Sequence, residues 1–352
     1  MSRFAKAAAG AAAMAVLLAG CATGGGSTAP DDGADARCGG ASGGVVTWYT
    51  SADADTAQEF ADAFKQICGI DVRVQSAPTL TLWQRFESEQ AAGVHDADVL
   101  SLSSAGLAAQ AIEEELVSPL SADVVEGIPD PYVDADSYWF SSRVQVISII
   151  YNTSVIDEAD APRSYEDLLD PKWSGKVSIA DASKSTSAIA ADWQMVNTPG
   201  IGMEWFEQFA KQKPALFGQS GQQINSIVQG EYPIGLTVSG TAWKQIMAGA
   251  PIAEVIPEEG AGQLFNQNMK VATTDNELGA DAFLKYLASE DGMTLSMKVT
   301  LDLPPLASVA PVPDGRLPLD EIKLLEWGGQ AQIDGEPALA EQMVALFGKS
   351  PD

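Results

Sequence analysis

The spacing of apolar residues predicts alternating strands and helices. Val45 to Thr50 is an apolar, β-branched run, and Asp55 to Ile67 places its apolar side chains at helical spacing. Strand-like runs follow at Ile70 to Gln75 and Ala97 to Leu102, and the amphipathic segment Leu80 to Ala92 lies between them. This β-α-β-α-β order is typical of a parallel sheet covered by helices.

The alternation restarts in the second half of the chain. Val144 to Tyr151 is a further strand, Tyr165 to Leu169 a short helix, and Lys176 to Ala180 a strand that leads into a serine-rich turn. The elements predicted beyond it are helices at Thr186–Val196, Glu204–Lys211, Gln222–Gln229 and Gly240–Ala248, and strands at Ile234–Val238 and Glu254–Ile256. We therefore predict an α/β chain of two similar lobes, which fits the length better than one large sheet.

The first twenty residues have the pattern of a targeting signal. A short basic start precedes the apolar stretch Ala7 to Leu18, which is too short to span a bilayer comfortably. The run Leu18-Ala19-Gly20-Cys21 resembles the lipobox of a bacterial lipoprotein signal. The resemblance implies that residues 1–20 are removed and that Cys21 is lipidated, on the extracytoplasmic face of the cell membrane. A simple secretory peptide with a chance cysteine is the alternative.

Residues 21–44 are rich in Gly, Ser, Ala and Asp, and we expect a flexible tether there. Cys38 lies near its end and Cys68 at the end of the first predicted helix, in a compartment where disulfides persist. A disulfide between them is predicted, with two unrelated thiols as the alternative. These cysteines and His95 supply too few ligands for a zinc site, so we expect no metal centre.

Composition and missing motifs exclude several functions. The 352 residues carry 20 Lys and Arg against 48 Asp and Glu, and the formal charge of −28 repels nucleic acid. His95, the one histidine, lies in a polar loop-like segment, which leaves no base for a Ser or Cys nucleophile. The sequence contains no Walker motif, and no G-x-S-x-G elbow or G-x-G-x-x-G motif follows a predicted strand. We therefore expect no enzyme and no cofactor.

Polar side chains follow four of the predicted strands, at the ends where open α/β sheets bind ligands. Each cluster also suits ordinary helix capping. Because helix starts carry free N–H groups, four clusters around one cleft favour a small polar ligand, above all an anion. The clusters are Thr50, Ser51 and Asp53; Ser101, Ser103 and Ser104; Ser183, Ser185, Thr186 and Ser187; and Ser239, Gly240 and Thr241.

Several short motifs extend from Val45 to near the end of the chain. The most specific, Tyr165 to Lys176, reads YEDLLDPKWSGK. The others are Val46–Ser51, Ala97–Val99, Val146–Thr153, Gly230–Glu231, Ala250–Pro251, Ile256–Gly260 and Ala282–Ser289. Together they resemble the bacterial extracellular solute-binding proteins of ABC importers, in the ferric-iron and phosphonate group. The resemblance implies a type 2 periplasmic-binding-protein fold, with two Rossmann-like α/β lobes joined by hinge strands.

The resemblance also implies boundaries and partners. The N-terminal lobe would comprise residues 45–142 and 271–321, and the C-terminal lobe residues 143–270 and 322–352, with hinges near residues 142 and 271. The lobes would close on a small-molecule solute and dock on an ABC permease, as a monomer held at the membrane by its lipid anchor. A surface hydrolase on the same fold, or an adhesion or sensor module, is the alternative of another class.

The family's iron ligands are not retained. Ferric members use a His, a Glu and a Tyr pair, and the aligned positions here hold Asp53, Ser103, Gly240 and Thr241. Because ferric iron prefers phenolate and carboxylate oxygens, direct iron binding is the alternative and not the main expectation.

The family's anion-binding positions, in contrast, are matched by residues of this sequence. Ser183 and Ser185 match a serine-rich turn, and Ser220 with Gly221 matches a second polar position. Hydroxyl and N–H groups there suit a phosphonate, a phosphate ester or a carboxylate. We therefore expect an anionic or zwitterionic solute.

Three side chains leave alternatives open: Arg143, Lys184 and Trp243. Arg143 and Lys184 would add positive charge to the site, or serve as a structural brace and a solvated side chain. Asp53 would meet an ammonium group on the same ligand. Trp243 lies in the cleft or in a core, whereas Trp83, beside Leu82 and Phe86, is expected in a core.

Overall fold

The computed structural model describes residues 38, 40, 41, 44–309 and 312–351. The predicted signal peptide, Cys21 and most of the tether lie outside these residues. The strands are β1 Val45–Thr50, β2 Asp71–Ser76, β3 Val99–Leu102, β4 Val117–Ser118, β5 Phe140–Asn152, β6 Val177–Ala180, β7 Ala215–Phe217, β8 Ile234–Val238, β9 Ile252–Val255 and β10 Gly262–Val271.

Helices cover this sheet. They are α1 Ala54–Cys68, α2 Thr79–Ala91, α3 Ala105–Glu113, α4 Ala122–Val125, α5 Thr186–Val196, α6 Gly202–Ala210, α7 Ser220–Gln229, α8 Ser239–Met247, α9 Glu277–Ala288, α10 Glu290–Thr300 and α11 Gly329–Phe347. The predicted short helix after Tyr165 is a 3₁₀ turn at Glu166–Leu169.

The strands follow the order β2-β1-β3-β10-β5-β8-β6-β7, with β4 paired to β10 and β9 paired to β5. The two ends of the sheet, β2-β1-β3 and β8-β6-β7, are parallel. At the centre, β10 and β5 are antiparallel to each other and to their neighbours β3 and β8. The carboxyl ends of two parallel sets of strands therefore border the middle of the molecule.

The α/β class and the two-lobed fold are confirmed, but the two lobes share one sheet, which the sequence did not predict. Strand β5 is 13 residues long and runs from one core to the other, and β10, 10 residues long, pairs with it. In β5, Phe140 and Val144 pack in a first core, while Ile149 and Tyr151 pack in a second. The lobe boundaries near residues 142 and 271 stay a prediction.

Aromatic side chains fill both cores. In the first, Trp48 meets Phe283 edge to face, with ring centroids 5.1 Å apart. Trp83 packs against Phe86 in the same core, as predicted. In the second, Trp205 stacks on Phe209 at 4.6 Å. Each core therefore has an aromatic centre of its own, which holds one set of parallel strands against its helices.

The predicted disulfide is confirmed: Cys38 is bonded to Cys68, with Cα atoms 5.7 Å apart. It attaches the segment before β1 to the end of α1. Within the described part of the chain, no helix has the length and apolarity needed to cross a membrane.

Candidate functional site

A cleft of about 740 Å³ opens where the two sets of parallel strands end. Loops after β1, β2 and β3 line one side, and those after β6, β7 and β8 line the other. Strand β5 contributes Arg143, Gln145 and Ile147. The cleft therefore lies at the carboxyl ends of the strands, where open α/β sheets bind their ligands.

The structure brings half of the predicted binding residues together in this cleft. They come from both sides, and the hydroxyl oxygens of Ser51 and Ser103 lie 3.3 Å apart. The predicted residues that line the cleft are Ser51, Asp53, Ser103, Ser185, Thr186, Ser187, Ser220 and Thr241.

The other predicted residues do not line this cleft: Thr50, Ser101, Ser104, Ser183, Gly221, Ser239, Gly240 and Trp243. Several have structural partners. The Ser104 hydroxyl caps α3 by accepting from the N–H of Leu107 at 3.3 Å, and the Ser183 hydroxyl donates to Asp181 at 2.7 Å. Thr50 is buried at the end of β1. Ligand contact stays a prediction for these residues and for those that line the cleft.

Contacts at the start of α8 explain why Ser239, Gly240 and Trp243 do not line the cleft. The Ser239 hydroxyl accepts a hydrogen bond of 3.1 Å from the buried Arg316, and Trp243 is buried and donates its indole N–H to Glu254. A Cβ on Gly240 would overlap the Asp302 carboxylate. Of the two alternatives for Trp243, the core is the one observed.

Helix capping divides the cleft-lining turns into two kinds. Asp53 caps α1, because its two carboxylate oxygens accept from the N–H and the hydroxyl of Thr56 at 3.0 and 2.9 Å. Ser185 caps α5 by accepting from the N–H of Ala188 at 3.2 Å. Helices α7 and α8 begin without any side-chain cap, and Ser220 and Thr241 of their first turns line the cleft. At these two helices no side chain accepts from the first N–H groups, as Asp53 and Ser185 do at α1 and α5.

A buried ion pair lies in the cleft wall. Arg143 donates to Asp302 at 2.8 Å, and the two side chains are only 12% and 3% exposed. Burial raises the pKa of Asp302 above its ordinary value, although the charges of Arg143 and Arg316 oppose that shift. Of the two alternatives for Arg143, this contact favours the brace. Sequence reasoning missed Asp302, which follows α10 in an irregular segment.

Basic side chains collect in the cleft of this acidic protein: Arg143, Lys184 and Lys244 all line it. Burial alone would raise the pKa of Asp53, but the hydrogen bonds from Thr56 and the charge of Lys244 together hold it below its ordinary value. Lys244 was missed because it is one of several lysines at helix positions and no motif distinguishes it.

Three further cleft-lining side chains carry polar atoms without partners. The Thr237 hydroxyl and the Gln223 carbonyl oxygen are buried and have no hydrogen bond. Asp192 of α5 is partly buried and has no hydrogen-bond or ion-pair partner among the described residues. Burial raises its pKa to about 7. Helical spacing is the sequence signal that could have identified Asp192, since this residue shares a face of α5 with Ala188 and Met195.

The described residues include no group of three or more His, Cys, Asp or Glu side chains placed to hold a metal ion. Tyr165, a phenol in the cleft wall, donates its hydroxyl to the Gly260 carbonyl at 3.0 Å, and burial strongly raises its pKa. His95 is exposed, 3.1 Å from Gln90, in a loop as predicted.

Comparison with known proteins gives consistent matches. A family model described as "Bacterial extracellular solute-binding protein" matches residues 96–335. "Iron uptake protein A1" of Synechocystis is 25% identical over 280 residues, which are 75% of this chain and 76% of that protein. Several further relatives are named for ferric iron.

Two solved structures have the same fold. Iron-bound HitA from Pseudomonas aeruginosa superposes with a TM-score of 0.74 at 17% identity, over 85% of this chain and 99% of that one. AfuA from Actinobacillus pleuropneumoniae, with fructose-6-phosphate bound, also gives 0.74, at 20% identity over 87% of this chain and 99% of that one.

Proposed function

Because the chain belongs to the bacterial extracellular solute-binding proteins, we propose that it is the substrate-binding component of an ABC importer. Its cleft closes on a small solute that carries an oxyanion, and the closed form delivers this solute to a permease. Hinge motion near residues 142 and 271 opens and closes the cleft. The protein acts as a monomer, tethered outside the cytoplasm by a lipid on Cys21.

The observation that carries this proposal is the pair of uncapped helix starts. Helices α7 and α8 both begin beside the cleft without a side-chain cap, so their N–H groups and dipoles favour negative charge there. The hydroxyls of Ser220 and Thr241 and the ammonium of Lys244 line the same cleft. The buried Thr237 hydroxyl, which has no partner, is a further donor. Together they suit phosphonate, phosphate-ester or carboxylate oxygens.

Ferric iron carried by a small anion is the second candidate. The names of the relatives favour it over an organic phosphate, since most are named for iron, whereas AfuA was solved with a sugar phosphate. Direct coordination of iron by protein side chains is not favoured, because the described residues include no cluster of metal ligands. An iron–carboxylate complex would meet the cleft through its carboxylate oxygens, so both candidates use the same oxyanion site.

A thermal-shift screen of metal-stripped protein tests the proposal. A ligand at a hundred times its Kd adds about 2.7 kcal/mol to the free energy of unfolding. The screen compares phosphonates and phosphate esters, citrate, ferric citrate and ferric ion with a weak chelator. We expect stabilisation by an iron-free oxyanion, reduced in Lys244→Met and kept in Lys172→Met, whose lysine does not line the cleft.

The other outcomes separate the candidates. Stabilisation by ferric citrate but not by citrate alone would favour the iron complex. Stabilisation by weakly chelated ferric ion without an anion, or no stabilisation by any oxyanion, would contradict an oxyanion site.

A further inference from the structure

Asp192 differs from the other two aspartates of the cleft. The Asp53 oxygens are occupied by Thr56 and its charge is balanced by Lys244, while Asp302 is paired with Arg143 at 2.8 Å. Asp192 has neither a hydrogen bond nor an ion pair to any residue in the described part of the chain. It is therefore the aspartate of the cleft wall with nothing to balance its charge.

The surroundings of Asp192 make that charge costly. Ala188 and Met195, one turn away on either side of α5, also line the cleft, and the charge of Asp192 contributes to the raised pKa of the buried Tyr165 phenol. A carboxylate in such a wall is stabilised either by a proton or by an opposite charge. The pKa of about 7 shows that, without a partner, the proton competes at neutral pH.

We infer that Asp192 binds a cationic group of the ligand, so that the solute is a zwitterion with an ammonium group beside its oxyanion. This inference rests on the proposed function, in which the starts of α7 and α8 hold the oxyanion. An amino-phosphonate is the simplest ligand of this class. The ammonium partner is thus Asp192, and Asp53, which the sequence suggested for that contact, remains the cap of α1.

Calorimetric titration with matched ligands tests this assignment. The pair 2-aminoethylphosphonate and propylphosphonate differs by replacing the ammonium with a methyl group. We expect wild-type protein to prefer the amine by at least about tenfold, as for a partly buried ion pair. Asp192→Asn removes that preference and leaves propylphosphonate binding equal or tighter. Asp53→Asn, a matched change in the same cleft that keeps a capping side chain, preserves the preference.

A preference for the amine that persists in Asp192→Asn, or that is lost in Asp53→Asn instead, would overturn the assignment. Thermal unfolding of each variant shows whether it is folded. Putrescine, a cation without an oxyanion, distinguishes failure of the Asp192 assignment from failure of the proposed oxyanion function. If neither phosphonate binds but putrescine does so only with Asp192 intact, the oxyanion function is wrong and the cation site stands. If wild-type protein binds none of the three ligands, both proposals fall.

Discussion

Arg143 and Asp302 make a buried ion pair, with side chains 12% and 3% exposed, so removing one partner should cost more free energy than at an exposed pair. Replacing Arg143 by Met leaves the buried Asp302 carboxylate without its ion-pair partner, although the charge of Arg316 still acts on it. We expect Arg143→Met to lower the free energy of unfolding by about 3–5 kcal/mol in urea denaturation.

The exposed pair Lys65–Asp71 supplies the control. Its atoms are closer, at 2.6 Å, but the side chains are 56% and 58% exposed. Lys65→Met should therefore cost less than about 1 kcal/mol. Equal losses for the two variants would show that burial does not decide the strength of the cleft pair.

Asp192 also predicts a pH dependence of stability. Its pKa of about 7 in the folded protein lies above the ordinary 3.8, so the folded state holds a proton that the unfolded state has already lost. This contribution to stability is complete below about pH 4 and disappears as the pH rises through 7. Asp192→Asn does not titrate, so its stability relative to wild type should rise by about 3 kcal/mol from pH 5 to 8.

Denaturation of both proteins at several pH values measures this difference. The other buried acids titrate equally in both proteins, so their contributions cancel in the difference. They include Asp302, whose pKa is raised by burial, and Glu336, whose pKa burial raises to about 6. A difference between the two proteins that stays constant from pH 5 to 8 would mean that Asp192 is not desolvated.

Residue types at strand ends predicted the cleft better than they predicted contacts within it. Ser51, Ser103, Ser185 and Ser220 line it as expected, because strand-to-helix turns meet at one edge of a sheet. Capping could not be separated from ligand binding by residue type, since the same oxygens perform both. Asp192 was not predicted as a site residue, because its place in the cleft depends on which face of its helix meets the cleft.

At the scale of elements, Gly240 shows how close α8 lies to the segment after α10. A Cβ there would meet the carboxylate of Asp302 and the backbone of Leu301, whereas one on Gly221 at the start of α7 would meet nothing within 4 Å. We expect Gly240→Ala to lower the free energy of unfolding by about 1–3 kcal/mol and to weaken oxyanion binding.

Gly221→Ala, at the matching position of α7, should be neutral or stabilising by up to about 1 kcal/mol. Denaturation and calorimetry on both variants make the comparison. Unchanged stability in Gly240→Ala would mean that α8 moves away from Asp302 without cost.

Elements with strong local patterns were predicted within a few residues. Helix α5 at Thr186–Val196 and strand β8 at Ile234–Val238 coincide with their predicted ranges. Strand β7, three residues long, and strand β10, whose run GQLFNQNMKV mixes amides with apolar residues, were not predicted as strands. In β10 the amides are buried and hydrogen-bonded across the sheet, which no local pattern reveals: Asn268, for example, accepts from Ser101 at 2.7 Å.

At the scale of the whole molecule, the charge of −28 opposes the approach of an anion, although the cleft itself holds basic groups. The Debye length shortens from about 30 Å at 0.01 M salt to about 8 Å at 0.15 M, which screens the distant acids more than the nearby bases. We expect the association rate of a dianionic phosphonate to rise over this range in stopped-flow tryptophan fluorescence.

A zwitterion of no net charge is the control and should associate at a rate that changes little with salt. An association rate for the dianion that falls as salt is added would mean that the bases of the cleft, and not the net charge, govern its approach.

The most direct test is a crystal structure of the protein grown with ferric ion and with the oxyanion that stabilises it most, measured with anomalous data at the iron edge. We expect the oxyanion at the starts of α7 and α8, in contact with Ser220 and Thr241, and no iron signal. An oxyanion elsewhere, or an iron atom coordinated by protein side chains, would contradict the proposed site.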